Sequence, residues 1–192
     1  MDTSHKIMEN LQGKILISTS QIQNNLFKDS LVLICEHSEK GVMGIIINKN
    51  SELSQNELIS QVKNDEHITK FTGMVLDGGP LKKDQGFVLH HPVDKMWRNS
   101  KLIDDNTALT TSRDIIEAIA DNQYKGEYLI ALGYCGLENK QLEDEIKRND
   151  WLVAPNDPIV ILRSENELKK QTILKNIGIT NISTLNPNMG TA

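Results

Sequence analysis

The sequence predicts an α+β (mixed α/β) fold in which one compact domain contains a mixed sheet. Two observations support this prediction. Short runs rich in β-branched residues recur along the 192 residues, and such runs are typical of strands. Helical stretches fall between them in an irregular order rather than as repeated strand–helix–strand units, which favours α+β over a regularly wound parallel sheet.

Eight runs are predicted to be strands, and some of them are apolar without alternation. LVLIC (31–35) and GIII (44–47) are examples, and they indicate strands buried on both faces of a layered fold. The predicted strands are 14–18, 31–37, 42–48, 74–77, 87–91, 127–132, 151–154 and 159–163.

About four helices are predicted. Three begin with a Ser or Thr followed three residues later by an acid, which is the pattern of a capping box. The third is expected to stop at Gly178, because glycine readily adopts the left-handed conformation that ends many helices. The fourth is expected over 140–149. The capping pairs are Ser54 with Glu57, Thr111 with Asp114, and Ser164 with Glu167.

The composition is that of a globular chain. Charged residues make up 24% of the sequence and hydrophobic residues 38%. We therefore expect a single domain over 1–192, with flexible ends at 1–10 and 180–192. The net charge of −5 argues against direct nucleic-acid binding. The pairs Lys82-Lys83 and Lys169-Lys170 are expected to lie on solvated faces.

The first ten residues lack the basic region followed by an apolar region that marks a secretory signal. The longest apolar stretch is also far shorter than the roughly 18 residues typical of a membrane span. We therefore expect a cytoplasmic protein that does not enter a membrane, present as a monomer or weak dimer.

Two cysteines, Cys35 and Cys135, lie in or beside apolar runs, where a free thiol usually packs as a small buried hydrophobe. No C-x-x-C motif is present, and no spacing of His, Cys and acidic residues demands a metal. Neither a disulfide, a metal nor a cofactor is predicted.

The first candidate site is the turn 36–41, which follows a buried strand and could present His37. It is either a β-hairpin, with Gly41 and Gly44 supplying conformational freedom, or a functional loop.

The second candidate is Asp77-Gly78-Gly79-Pro80. Consecutive glycines after a strand can form a nest of N–H groups for an anion, or simply reverse the chain. His90 and His91 follow nearby, but neighbours on a strand point to opposite faces, so at most one of them can join a given site.

The third candidate is Gly133-Tyr134-Cys135-Gly136, between an apolar strand and a helix that contains Gln141, Glu143 and Glu145. A strand, a glycine loop and a helix form an arrangement suited to anions. The pattern is neither a dinucleotide fingerprint nor a P-loop, and glutamates near the helix start would repel a phosphate. No nucleophile motif is present.

In these same places the chain resembles the YqgE/AlgH family of bacterial proteins. The resemblance covers nearly all of 11–155. It rests on GKILIST, FKDSLVLICEHSEKGVMGIIINK, the GGP of 78–80 followed by GFVLHHP, LTTSRDIIEAIA, and GYCGLENKQLEDEIKRNDWLVAP.

The resemblance implies a bifurcated sheet curled into a pseudo-barrel, a cytosolic protein, and no defined activity. Some members are labelled transcriptional regulators through a link to alginate production. The chain departs from the family pattern at Asn24 and Asn25, where an Asp is usual before the Phe, and at Lys28, where an Arg is usual. A carboxylate–guanidinium pair is therefore not expected there.

Three functions are considered from the sequence, and direct DNA binding is the least favoured because the chain is acidic and shows no helix-turn-helix signal. The preferred one is a regulatory module that binds a small molecule or a protein partner. The alternative is an enzyme, a hydrolase or transferase, that uses His37 or His90 with a carboxylate such as Glu36 or Glu145. No catalytic residue is assigned. The candidate binding residues are His37, Asn48, Gly78, Gly79, Pro80, His90, Gly133, Gly136, Gln141 and Glu145.

Overall fold

Ten strands form one curled, mostly antiparallel sheet in the computed structural model, which describes residues 9–93 and 95–180. The strands in these ranges are β1 (Lys14–Ser18), β2 (Leu31–Ser38), β3 (Gly41–Ile46), β4 (Asn50–Ser54), β5 (Met74–Asp77), β6 (Leu81–His91), β7 (Ser100–Leu102), β8 (Ala108–Thr110), β9 (Glu127–Leu137) and β10 (Trp151–Pro155).

The helices of the described ranges number five, one more than predicted, and a 3₁₀ turn at Asn25–Phe27 precedes them. Asn24 caps that turn, because its side-chain oxygen accepts the Leu26 N–H at 3.0 Å. The helices are α1 (Gln55–Lys63), α2 (Arg113–Ala120), α3 (Asn139–Lys147), α4 (Pro158–Arg163) and α5 (Asn166–Asn176). The α+β fold class is confirmed. The flexible ends predicted at 1–10 and 180–192 fall almost wholly outside the described residues.

The long strand β9 is the spine of the sheet. The main path of strands runs β10-β1-β2-β3-β9-β6-β8-β7. The first half of β9 lies between β6 and β5, and β5 is its one parallel neighbour among the described strands. The second half pairs with β3 instead. The sheet therefore bifurcates along β9, and its two arms curl into a half-barrel.

Apolar side chains on both faces of this sheet form three clusters. The largest fills the inside of the half-barrel and is closed by Ile161, Leu162, Ile173 and Leu174 of α4 and α5. The other two lie outside, one under α3 and the 3₁₀ turn, the other under α1 and α2. Burial on both faces explains why β2 and β3 are apolar without alternation.

The predicted helix starts are partly confirmed. Ser54 and Glu57 form the capping box of α1, with the Ser54 N–H donating to Glu57 Oε2 at 2.8 Å. The other two boxes are wrong: α2 is preceded by Ser112, which makes no side-chain cap bond, and Ser164 ends α4 instead of starting α5. Gly178, at φ +84°, ends α5 as predicted.

One predicted strand, 159–163, is wrong because these residues form α4. Asp157 accepts the Val160 N–H at 3.1 Å, and Pro158 occupies the first turn, where its missing N–H costs nothing. These local signals outweigh the β-branched character of the run IVIL. Strands β4, β7 and β8 were not predicted. They are short, and none is an extended β-branched run.

Candidate functional site

Two of the predicted glycine segments contact each other directly. Gly78 and Gly79 pack against β9, so closely that a Cβ on Gly79 would lie 2.3 Å from the Tyr134 carbonyl carbon. The Gly78 N–H donates to Leu132 O at 2.8 Å, and Ile46 N–H donates to Gly78 O at 2.9 Å. These bonds fix the turn as a packing element, and the Gly78 N–H is not directed toward an anion.

The segment 133–136 is not the glycine loop that was predicted, because it continues strand β9 to Leu137. Gly133 adopts φ +73°, where the strand leaves its pairing with β5 and meets β3. A Cβ there would lie 2.4 Å from Gly79 O. Glycine is therefore required at this bend for backbone conformation and for close packing.

Six residues linked by strand pairing, close packing and an ion pair lie at this point, and we call them the rim. Leu81 pairs with Tyr134, and a Cβ on Gly136 would lie 3.1 Å from Leu81 Cδ1. Gly136 pairs with Met43, and Met43 pairs with Glu36. Glu36 Oε2 lies 2.6 Å from the Lys101 ammonium. The rim is Leu81, Tyr134, Gly136, Met43, Glu36 and Lys101.

The centre of the rim is apolar and accessible. Leu81 is 43% exposed, although the Gly79 contact and its pairing with Tyr134 hold its backbone in place. Tyr134 is half-buried and packs edge-on against Phe87 at 5.8 Å between ring centroids. Met43 is also half-buried. An exposed leucine on a rigid support is therefore flanked by an adaptable methionine and an ion pair.

His37 lies on the neighbouring hairpin, and of the two predicted alternatives the hairpin is confirmed. Ser38 pairs with Gly41, so a two-residue turn joins β2 and β3. His37 Nδ1 accepts the Leu11 N–H at 2.9 Å. This bond anchors the segment before β1 to the hairpin and occupies one ring nitrogen of His37.

His90 lies far from His37 and deep in the protein. It pairs with Tyr128, whereas the partner of His37, Val42, pairs with Leu137. These levels of β9 lie roughly 30 Å apart along an extended strand. The His90 side chain is fully buried, and its Nε2 lies 2.9 Å from Thr110 Oγ1. The two histidines cannot share one site.

The remaining candidates also make bonds within the protein. Asn48 accepts the Leu31 N–H and donates to Asp29 O, both at 2.8 Å, at the end of β3 away from the rim. Gln141 donates to Glu145 Oε1 at 2.8 Å on the outer helix α3. Pro80 is exposed between Gly79 and Leu81. Of the candidate binding residues, only Gly136 belongs to the rim, which also contains Tyr134 of the third candidate segment and Glu36, one of the candidate carboxylates. Gly78, Gly79, Pro80 and Gly133 lie behind or beside the rim.

Neither cysteine is poised for chemistry. Both thiols are free and buried. Burial raises the pKa of Cys35 and of Cys135 to about 12 in each case. A thiol that stays protonated at neutral pH is a poor nucleophile.

The sequence did not reveal a polar cleft of about 670 Å³ beside the start of α2, lined by Arg98, Asn99, Ser112, Arg113, Asp114 and Glu117. Its lining contains two arginines and two carboxylates, so the charges balance in number. Arg113 Nε donates to Glu117 Oε1 at 2.9 Å, and Asp114 Oδ2 accepts the Arg98 N–H at 3.1 Å. The pattern of Thr111 and Asp114 had indicated only a helix start.

Asp114 is a half-buried carboxylate in the lining of this cleft. Burial raises the pKa of Asp114, but hydrogen bonds from the Ser112 hydroxyl and from the backbone N–H groups of Arg98 and Ile115 outweigh that effect, and the pKa is lowered. The carboxylate is therefore ionised at neutral pH and opposes an anionic ligand.

Two further features concern metals and membranes. Within 9–93 and 95–180, no three His, Cys, Asp or Glu side chains are grouped so that they could hold a metal ion. No helix in these ranges is long and apolar enough to cross a membrane.

Comparison with known proteins gives a consistent assignment. The AlgH-like family model matches residues 15–181. The UPF0301 protein IL2218 of Idiomarina loihiensis is 36% identical over 190 residues, which cover 96% of this chain and 100% of that protein. A UPF0301 protein of Chromobacterium violaceum is 41% identical over 153 residues, covering 79% of this chain and 81% of that protein.

Two solved structures have the same fold. The solution structure of AlgH from Pseudomonas aeruginosa superposes with a TM-score of 0.75 at 32% identity, and all of both chains is covered. Protein DIP2367 of Corynebacterium diphtheriae has a TM-score of 0.73 at 19% identity, covering 91% and 92% of the two chains, and supports the fold alone. The resemblance to the YqgE/AlgH family is confirmed, and the chain belongs to the AlgH-like family.

Proposed function

We propose that the protein is a regulatory binding module that recognises a protein partner through the rim. The observation that carries this proposal is Leu81, which is 43% exposed on a backbone held by close packing of Gly79 against β9. A residue whose backbone is already fixed loses less conformational entropy when a partner covers it. Leu81 is therefore suited to be the anchor of an interface.

The composition of the rim favours a protein over a small molecule. Tyr and Met are enriched at the centres of protein interfaces, and methionine adapts its shape to different surfaces. The ion pair of Glu36 and Lys101 borders this apolar strip, with side chains 41% and 48% exposed. We expect a partner with an apolar side chain over Leu81 and polar groups facing the ion pair.

A regulatory role, including an effect on transcription, would then act through the partner rather than through DNA contact. The net charge of −5 supports this route. A titration with duplex DNA at low salt should show no binding. Saturable binding that weakens steeply with added salt would instead favour direct contact with DNA.

The partner can be identified by photo-crosslinking. A photoreactive amino acid placed at position 82, next to Leu81, should form a covalent adduct with the partner in cells. The captured protein is then purified and titrated by calorimetry against the unmodified chain and against Leu81→Asp. Leu81→Asp places a charge where the partner would bury the leucine, so this substitution should weaken binding at least about tenfold.

Leu168→Asp is the matched control, because Leu168 is also an exposed leucine but lies on α5. It should bind the partner as tightly as the unmodified chain. Equal affinities of all three proteins would disprove a role for the rim.

The enzyme alternative remains a second prediction and has less geometric support. Glu36 is engaged with Lys101, and Glu145 accepts the Trp151 indole N–H at 2.8 Å. If an activity is found, His37→Ala and His90→Ala should test it. Loss in His37→Ala with the fold intact would support a catalytic role, whereas full activity in both variants would exclude these histidines.

A further inference from the structure

Within residues 9–93 and 95–180, strand β10 forms an edge of the sheet that no other strand covers. It is the terminal strand of the main path and pairs on one side with β1. Thr19 N–H donates to Asp150 O at 3.0 Å, and backbone groups in an antiparallel pair alternate in direction. The backbone N–H and C=O groups of Leu152 and Ala154 therefore point toward β1. Those of Trp151 and Val153, and the C=O of Pro155, point away from it.

The residues along this edge are also apolar and accessible. Val153 is 38% exposed, and Ile159, just beyond the strand in α4, is 44% exposed. An edge strand with outward N–H and C=O groups and exposed apolar side chains is a template for another strand.

We propose that two copies of this chain pair antiparallel along β10, about a two-fold axis at Val153. Val153 N–H of each copy then donates to Val153 C=O of the other, and the Trp151 N–H groups donate to the Pro155 carbonyls. Pro155, which lacks an N–H, serves only as an acceptor in this register and marks the end of the pairing. The half-barrel sheets of the two copies become continuous.

The charges that flank β10 favour a second copy over an unrelated strand. Lys147 and Arg148 precede the strand. They pair with Glu143 and Asp150 of the same chain, but their side chains remain 64% and 60% exposed, and Asp157 follows the strand. An antiparallel two-fold pairing brings the basic flank of each copy beside Asp157 of the other. Arg148 already contacts Asp150 through Nε and Nη2, and a guanidinium has further donors.

The dimer should be weak. Five residues of each copy form the pairing, and a stable interface usually buries about 800 Å² on each partner. We expect a dissociation constant of the order of micromolar or weaker. Sedimentation velocity over a wide range of protein concentration should show a monomer that converts to a dimer.

Val153→Pro is the informative variant. It removes an N–H that faces away from β1, so the ladder inside each copy is kept. Dimerisation should weaken at least about tenfold because two of the four intermolecular backbone hydrogen bonds are lost. Val153→Lys should have the same effect through charge repulsion across the axis, and it keeps the proposal testable if the proline variant melts early.

Leu168→Lys and Leu81→Asp are controls that should dimerise as the unmodified chain does. The second control also separates this interface from the rim. A monomer at every concentration, or a dimer unaffected by both Val153 variants, would overturn the proposal.

The register can be tested by disulfide formation. Both native thiols are buried, so Val153→Cys supplies the one accessible thiol of the chain. Directly opposed residues in an antiparallel pair have Cα atoms about 5.5 Å apart, which is within reach of a disulfide. Mild oxidation should link two copies of Val153→Cys, and Leu168→Cys should link poorly. Equal cross-linking of both variants would contradict the two-fold register.

Discussion

Lys169 Nζ donates a hydrogen bond to Ile47 O at 2.8 Å from a side chain that is fully buried. A second bond reaches Asn166 Oδ1 at 2.7 Å. The bond to Ile47 O joins α5 to the residue that directly follows β3. Burial lowers the pKa of Lys169 from 10.5 to about 8, and the nearby Glu167 carboxylate opposes this shift.

This buried lysine predicts a distinctive dependence of stability on pH. Between pH 8 and pH 10.5 the unfolded chain keeps a proton that the folded chain releases, so the free energy of unfolding rises with pH in this window. Below pH 8 Lys169 is charged in both the folded and the unfolded chain, so burying the charge lowers the free energy of unfolding by its full amount. In the unmodified chain this rise in the free energy of unfolding should be about 3 kcal/mol, and it should be absent in Lys169→Met.

Urea unfolding followed by tryptophan fluorescence from about pH 7 to about pH 10.5 measures this difference. Lys170→Met is the matched control, because Lys170 is the next residue but its side chain is 20% exposed. That variant should keep the rise seen in the unmodified chain. Parallel pH curves for the unmodified chain and Lys169→Met would contradict the prediction.

Lys169 also shows where the sequence was insufficient. The pair Lys169-Lys170 was predicted to lie on a solvated face, and for Lys169 this is wrong. Lysines are almost never fully buried unless paired, and the acceptor that pairs with this one, Ile47 O, lies on a distant strand. No local pattern on α5 reveals that contact.

Most of the fold was accessible from local signals, as β1 and β5 show by matching their predicted bounds. Local signals fail where tertiary pairing decides. Gly133 reads as the start of a loop, yet the strand continues because β3 replaces β5 as its neighbour. The rim was missed for the same reason, since Leu81, Met43 and Lys101 meet only when separate strands pair.

The contact of Gly79 with Tyr134 predicts a large effect of one methyl group. Gly79 has φ +150°, and a Cβ would lie 2.3 Å from the Tyr134 backbone, which cannot move without breaking β9. Gly79→Ala should lower the free energy of unfolding by about 3 kcal/mol or more.

Gly86→Ala is the control for this substitution, because no atom of the described residues lies within 4 Å of a Cβ built there. It should leave stability unchanged or raise it slightly. Thermal unfolding by calorimetry compares the two variants. Similar melting temperatures would show that the turn at Gly79 can relax.

Glu145 and Trp151 form a second relationship that can be tested. Trp151 is buried, and its indole N–H donates to Glu145 Oε2 at 2.8 Å. Glu145→Ala leaves that donor without its partner and should cost about 1 to 3 kcal/mol. Lys147→Ala, which removes an exposed pair on the same helix, should change stability little. Urea unfolding of both variants measures this difference. Equal losses of unfolding free energy would mean that the indole hydrogen bond contributes no more to stability than the exposed ion pair.

Because both cysteine thiols are buried, we expect the folded protein to react slowly with thiol reagents. The thiolate is the reactive form, and a pKa raised to about 12 leaves almost none of it at pH 8 for either Cys35 or Cys135. A thiol-reactive dye at pH 8 should therefore label the native chain only at the rate of its opening, and both sulfurs at once in urea. Because burial is the cause, any variant that loosens the half-barrel, Gly79→Ala above all, should speed labelling, and the logarithm of the labelling rate should rise in proportion to the stability lost. Rapid labelling of the unmodified native protein would mean that solvent reaches one thiol without global unfolding. The sheet would then have to open locally around Gly44 and Gly78, which contact Cys135.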